Sequence, residues 1–293
     1  ANLDQDDNPV QTVIDSGNLQ DSLVNVSFSS PYSIQGRSGN KSHYGTGVIV
    51  DIHKGWVVVP RNLVFSMLGD VKITFNNRYQ VDGKVEYIHP LHNLALISYV
   101  PEQQANIRVS QVKLSARPMQ HGETVVQVGL NYDGNVEYRE TQVDKTEEFW
   151  LREFNVPQFV DKNIEATHFV NPNTAIDGII VNSDYEVSGF WIVFDAAADN
   201  GKDKSNSIAG LSSQYVMDLM ATVENNTPVY SLDIDLTMIA PVDAIQMGLD
   251  EAWLDKLSQH NPDSNKLLAI YNVSASSSSA QHLKLIDILL AIN

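Results

Sequence analysis

The feature that most constrains this chain is a series of short strand-like segments between about residue 23 and residue 194. Each segment is rich in Val, Ile, Tyr, Phe and Trp, and Gly, Pro, Asn or Asp separates it from the next. No long helical period lies between them. Because a parallel sheet needs helical crossovers, this pattern predicts an antiparallel sandwich or barrel. The segments are Leu23–Ser30, Gly47–Ile52, Gly55–Val59, Asp70–Phe75, Gly83–His89, Asn93–Val100, Glu123–Leu130, Asp177–Ser183 and Ser188–Phe194.

Charge and composition exclude several classes of function. The 293 residues include 36 acidic and 19 basic side chains, for a net charge of −17. That charge repels the phosphates of nucleic acids and of anionic membranes. The absence of cysteine rules out disulfides, thiolate catalysis and zinc–cysteine sites. No apolar run approaches the ~18 residues that span a bilayer. We therefore expect no nucleic-acid partner, no membrane insertion and no cofactor.

A helix and a linker are predicted after the strand-rich region. Apolar residues recur at helical spacing over Leu211–Val223, and Ser212 and Ser213 are candidate caps. The polar stretch 195–207 is typical of a surface loop, and Glu224–Pro228 is the best candidate linker. The resulting expectation is a loosely ordered segment over residues 1–20, a first domain over 21–223 and a second domain over 229–293.

The second predicted domain has only 65 residues, 229–293. Val229–Ile239 and Leu267–Ser274 are strand-like, and Leu283–Asn293 ends in another strand. Val242–Gln259 predicts one short helix or two helices around Gly248. The sequence stops directly after an apolar strand, so we expect this domain to be truncated. The polar start, Ala1–Pro9, has neither signal-peptide nor transit-peptide character, which favours a processed chain or a piece of a longer protein.

Three segments carry a resemblance to a known family. Tyr44–Val64 resembles the first strand pair of HtrA/Deg serine proteases, Val81–Val100 resembles their segment ending in D-x-A-L, and His168–Phe194 resembles their nucleophile loop, N-P-G-N-S-G-G-P-L-V-N. Leu283–Asn293 resembles the G-D-x-x-L-A-x-N segment of the PDZ domain that follows. The resemblance implies a mainly β fold, a trypsin-like double β-barrel followed by a truncated PDZ-like domain.

The catalytic positions depart from that family. Asn62 stands where the resemblance places the general-base histidine, and Asn93 stands where it places the orienting aspartate. Ala175 or Ile176, depending on the register, stands where it places the nucleophilic serine, and one register further is Asp177. An amide cannot act as a base near pH 7, and none of the three candidates is a hydroxyl. The first domain is therefore predicted to be a pseudoprotease.

The resemblance extends to one branch of the family. Ser22–Gly39, the VPRN of Val59–Asn62 and Glu86–Tyr99 are similar to the degenerate second protease–PDZ unit of tandem, double-length Deg proteases. This implies a non-catalytic part of a serine endopeptidase, acting in assembly and in peptide or unfolded-protein binding for protein quality control. The alternatives are an active serine endopeptidase with an atypical site and a holdase-type chaperone.

The same resemblance implies partners. We expect peptides or unfolded segments to bind along Leu236, Thr237, Met238 and Ile239 by adding a strand to the sheet edge. Further expected partners are the catalytic half of the parent protease and further copies of the chain in a homo-oligomer. The bacterial periplasm or cell envelope is the expected location.

A few isolated residues also allow a functional interpretation. His89 and His92 could begin a metal site, but a structural turn is favoured because no third ligand is visible and Pro90 prevents a regular helix. We therefore predict no metal. His43 is interpreted as an exposed loop histidine rather than a displaced base, and Glu147–Glu148 as a solvated acidic pair. Ser66 and Ser188 have no identifiable activating partner.

Overall fold

The structure is a computed structural model, and it describes residues 19–31, 42–104, 107–148, 163–194, 208–260 and 266–291. Within them the chain forms two compact units. The first unit contains the described residues up to 147 and those from 165 to 227, and the second contains 148, 163–164 and 228 to 291. Residues 1–18 and 195–207, predicted as a loose segment and a surface loop, lie outside the described residues.

The first unit opens with a closed six-stranded antiparallel barrel in the order β1-β2-β3-β6-β5-β4. Its strands are β1 (Leu23–Ser29), β2 (Ser42–Asp51), β3 (Trp56–Val59), β4 (Asp70–Phe75), β5 (Tyr79–Ile88) and β6 (Ala95–Tyr99). In β1, Val24, Val26 and Phe28 are buried and alternate with half-buried residues. This alternation directs one face of each strand into the barrel core.

A second closed antiparallel barrel follows in the order β10-β11-β12-β9-β8-β7. Its strands are β7 (Thr124–Leu130), β8 (Val136–Glu148), β9 (Glu165–Val170), β10 (Asp177–Val181), β11 (Val187–Val193) and β12 (Ile208–Ser212). The core includes Met119, Phe169, Ile176, Ile180 and Trp191. The two barrels confirm the predicted mainly β, double-barrel fold.

Helix α1 (Ser213–Asn225) ends the first unit. The predicted cap is confirmed, because the Ser212 side chain accepts a hydrogen bond from the Gln214 amide. Leu211, which the sequence places on the helical spacing, is instead the fourth residue of β12 and pairs with Phe190. It is fully buried, and helical spacing alone cannot distinguish such a strand residue from a helix residue. Asn226 takes the left-handed conformation, φ 49°, and ends the helix.

The second unit contains a three-stranded sheet, β13-β14-β15, and two helices. The strands are β13 (Ile234–Ile239), β14 (Leu267–Val273) and β15 (Ile288–Leu289), and the helices are α2 (Pro241–Gln246) and α3 (Glu251–His260). Gly248 lies between the helices with φ +99°, so the two-helix alternative is the one observed. No helix among the described residues is long and apolar enough to cross a membrane.

The first strand prediction in this unit is too long. Val229–Asp233 precedes β13 without strand pairing, and its Asp233 has φ 53°. An apolar run alone therefore overestimates a strand wherever a residue adopts left-handed backbone. The strand predicted at the end of Leu283–Asn293 is present: Ile288 and Leu289 pair with Ala269 and Leu268 of β14, and the Ile286 amide and Asp287 carbonyl also bond to Ile270.

Candidate functional site

The structure brings the first two predicted triad positions together. Asn62 lies in the turn after β3, and its backbone amide donates to Asn93 Oδ1 at 3.2 Å. Asn93 precedes β6 and is 1% exposed. The side-chain nitrogens of both residues donate to one acceptor, the carbonyl of Val193 at the end of β11, at 2.7 Å from Asn62 and 3.0 Å from Asn93.

This arrangement is an amide clamp, the name used below for Asn62, Asn93 and the Val193 carbonyl. Both side-chain nitrogens point as donors at the same oxygen. A general base must instead present a lone pair to the proton it removes, and an orienting residue must carry a charge to stabilise the resulting cation. The clamp joins the turn after β3 to β11 but offers neither group. Sequence reasoning missed Val193, because its contribution is a backbone carbonyl. Every residue has one, so the residue type gives no indication of this role.

The third predicted position contains no nucleophile in any of the three registers. Ala175 is exposed, and its amide donates to Asn173 Oδ1 at 2.9 Å. Ile176 is 1% exposed and packs into the core of the second barrel with Phe169 and Trp191. Asp177 begins β10 and pairs with Leu130. In the Ile176 register, therefore, the side chain is directed into the barrel core.

The two serines near the site in sequence are both buried. Ser188 Oγ is buried and makes no hydrogen bond among the described residues. Ser66 is 7% exposed, and its Oγ accepts the amide of Leu68 at 3.0 Å. His43 is not an exposed loop residue: it lies in β2, is half-buried, and packs edge-on against Phe65 with ring centroids 5.1 Å apart. The described contacts of His43 are thus those of a packed side chain.

His89 and His92 form the structural turn that the sequence favours. Their rings stack with centroids 4.3 Å apart, and His89 Nδ1 accepts the amides of Leu91 and His92 at 3.1 and 2.9 Å. Burial lowers the pKa of His89 to about 3 and that of His92 to about 4, with a further contribution from the Arg61 charge. In the described ranges no group of three or more His, Asp or Glu side chains could hold a metal ion.

Asp177 is the one unusual acid of the site. Burial raises its pKa to about 6 from an ordinary value of 3.8. It lines a cavity of about 650 Å³ together with Tyr44, Asn131 and Ala175. A buried carboxylate with a raised pKa weakens the folded state whenever it must ionise.

We expect Asp177→Asn to stabilise the protein at pH 7 by about 2 kcal/mol. Because the folded-state pKa is the higher one, Asp177 contributes stability fully below pH 3.8 and loses it as the pH rises through about 6. The gain in the variant should therefore disappear near pH 4. Urea unfolding at pH 4 and pH 7 measures it, with the exposed Asp133→Asn as control. An equal effect at both pH values would contradict the burial argument.

Comparison with known proteins shows which proteins the chain is similar to. No protein-family model matches the chain. It is 26% identical over 284 residues to the pro-apoptotic serine protease NMA111 of Yarrowia lipolytica, covering 94% of this chain and 28% of that protein. It is also 26% identical over 262 residues to the pro-apoptotic serine protease nma111 of Aspergillus oryzae, covering 86% and 25%.

Solved structures agree on the fold. The HtrA-type protease AlgWS227A with decapeptide superposes with a TM-score of 0.57 at 11% identity, over 95% of this chain and 83% of that one. The active form of the Rv3671c protease from M. tuberculosis gives 0.53 at 17% identity, over 74% and 86%. The chain is therefore similar in sequence to proteins named as serine proteases, and it shares the fold of the solved HtrA-type and Rv3671c proteases. It spans about a quarter of the length of the curated proteins it matches.

Proposed function

We propose that this chain is a non-catalytic part of a larger HtrA-type serine protease, serving in assembly and in the binding of peptides or unfolded proteins. The proposal that the chain is non-catalytic rests on one observation: Asn62 and Asn93 both donate to the Val193 carbonyl. A serine in this setting would find no proton acceptor and no orienting charge. Losing a triad member costs ~10⁴-fold in rate, and here all three are absent.

The second half of the proposal concerns the small unit, which we interpret as PDZ-like. Strand β13 is an edge of its sheet, with β14 as its only strand neighbour among the described residues. An extended peptide adds to such an edge through main-chain hydrogen bonds. The predicted binding residues, Leu236 to Ile239, are half-buried members of this strand. Their placement on an edge supports peptide binding there.

The catalytic half and the further copies of the chain remain proposed partners. The curated relatives are named serine proteases and are about three and a half times as long as this chain. We propose that the catalytic triad of the parent protein lies in the part outside this chain, and that the amide clamp belongs to its degenerate counterpart. Location in a bacterial envelope and the homo-oligomer stay predictions.

Binding to a permanently unfolded protein tests the proposal. Fluorescently labelled α-lactalbumin, reduced and carboxymethylated, should bind the full chain saturably in an anisotropy titration and remain intact on a gel overnight. Native α-lactalbumin is the control and should not bind, because it offers no free extended backbone. Cleavage would favour the alternative that the chain is an active endopeptidase. Absence of binding would contradict the proposal that it binds unfolded proteins.

A further inference from the structure

The outer edge of β13 is occupied by two side chains from distant parts of the sequence. Asn163 Nδ2 donates to the carbonyl of Ile234 at 2.8 Å, and Asn163 Oδ1 accepts the amide of Leu236 at 2.8 Å. Glu148 Oε2 accepts the amide of Met238 at 2.9 Å. Both side chains belong to the same compact unit as β13.

These contacts reproduce the pattern of a neighbouring strand. β13 pairs with β14 over its whole length, from Ile234 opposite Val273 to Ile239 opposite Leu267. The residues bonded by Asn163 and Glu148 are every second one, 234, 236 and 238. Alternate residues of an edge strand present their amides and carbonyls to opposite sides. On the side of β13 that faces away from β14, the side-chain amide of Asn163 therefore bonds one backbone carbonyl and one backbone N–H, as an added strand would. The Glu148 carboxylate bonds the next backbone N–H on that side.

We propose that Asn163 and Glu148 are a built-in competitor for strand addition at the β13 edge. This inference rests on the proposed function, since it concerns the regulation of that same peptide site. A peptide that adds to β13 needs the Leu236 and Met238 amides and the Ile234 carbonyl, and it must displace both side chains to reach them. The prediction that Glu148 is solvated is correspondingly wrong: Glu148 is half-buried and holds the Met238 amide.

The chain offers closely matched variants. Asn163 has φ 55°, so Asn163→Gly removes the amide without straining the backbone. Asn226→Gly is its control, because Asn226 has φ 49° and caps α1 instead. Glu148→Ala removes the second contact. Glu147→Ala removes the same charge one residue earlier, where the carboxylate lies near Lys145 and His168.

The probe is a fluorescein-labelled octapeptide that alternates valine and threonine, titrated against the full chain. A second copy, N-methylated at alternate residues, cannot donate strand hydrogen bonds. We expect N163G/E148A to bind the unmethylated peptide about tenfold more tightly than the wild type, since two competing contacts are removed. N226G/E147A should bind like the wild type. Hydrogen exchange at the Leu236 and Met238 amides should be faster in N163G/E148A and slow again with peptide.

Each alternative outcome has a separate meaning. Equal and backbone-dependent binding by wild type and N163G/E148A would overturn the competitor while leaving the proposed peptide site intact. Absence of binding by both would overturn the peptide site and the competitor with it. If the double variant fails to fold, N163G and E148A are measured singly, with an expected gain of about threefold to fivefold each. Unchanged affinity in both singles would also overturn the competitor.

Discussion

Ile176→Ser is expected to destabilise the protein by about 3–5 kcal/mol. Ile176 is 1% exposed among Met119, Phe169 and Trp191. The substitution removes buried apolar volume and leaves a hydroxyl in an apolar core. The measurement is urea unfolding followed by tryptophan fluorescence. Ala175→Ser is the control, because Ala175 is exposed and such a change should stay within about 0.5 kcal/mol.

The same variant also decides whether the site can be repaired. Combining Ile176→Ser with Asn62→His and Asn93→Asp restores the residue types of the family pattern, yet we expect no ordinary protease activity. The new hydroxyl would lie in the core of the second barrel, where Ile176 packs now. Loss of stability below about 1 kcal/mol, or turnover of a peptide substrate at normal protease rates, would contradict this placement of residue 176.

The double-barrel fold could be predicted from sequence because its information is local. Alternating apolar residues, such as Val24, Val26 and Phe28 of β1, and turn residues between strands indicate which face is buried. Leu211 was counted in the helical spacing for the same reason, since an apolar residue near the end of a strand can also fit a helical period. Local pattern identifies an element more reliably than its boundary.

The chemistry of the site was only half visible in the sequence. Motif position identified Asn62 and Asn93, but not their shared acceptor, because Val193 contributes a carbonyl and that contact is made 131 and 100 residues away. The partners of β13 were missed for a similar reason: Asn163 lies 73 residues from Leu236, and Glu148 lies 90 residues from Met238. Side chains that bond to a distant backbone follow no periodicity.

The raised pKa of Asp177 was likewise outside the reach of sequence reasoning. The sequence identifies Asp177 only as one of three possible positions of the missing nucleophilic serine. Its pKa of about 6 results from burial at the start of β10, and burial depends on tertiary packing. An aspartate that precedes Gly178 could equally begin an exposed turn.

Reaction with a fluorophosphonate probe tests the central claim, catalytic silence, most directly. The probe labels a serine only if a neighbouring base activates it, and the amide clamp contains no such base. With trypsin as positive control, we expect no labelling of the full chain and peptide hydrolysis at the buffer rate, at least ~10⁴-fold below an intact triad. Stoichiometric labelling of one serine, abolished by its substitution with alanine, would contradict the account.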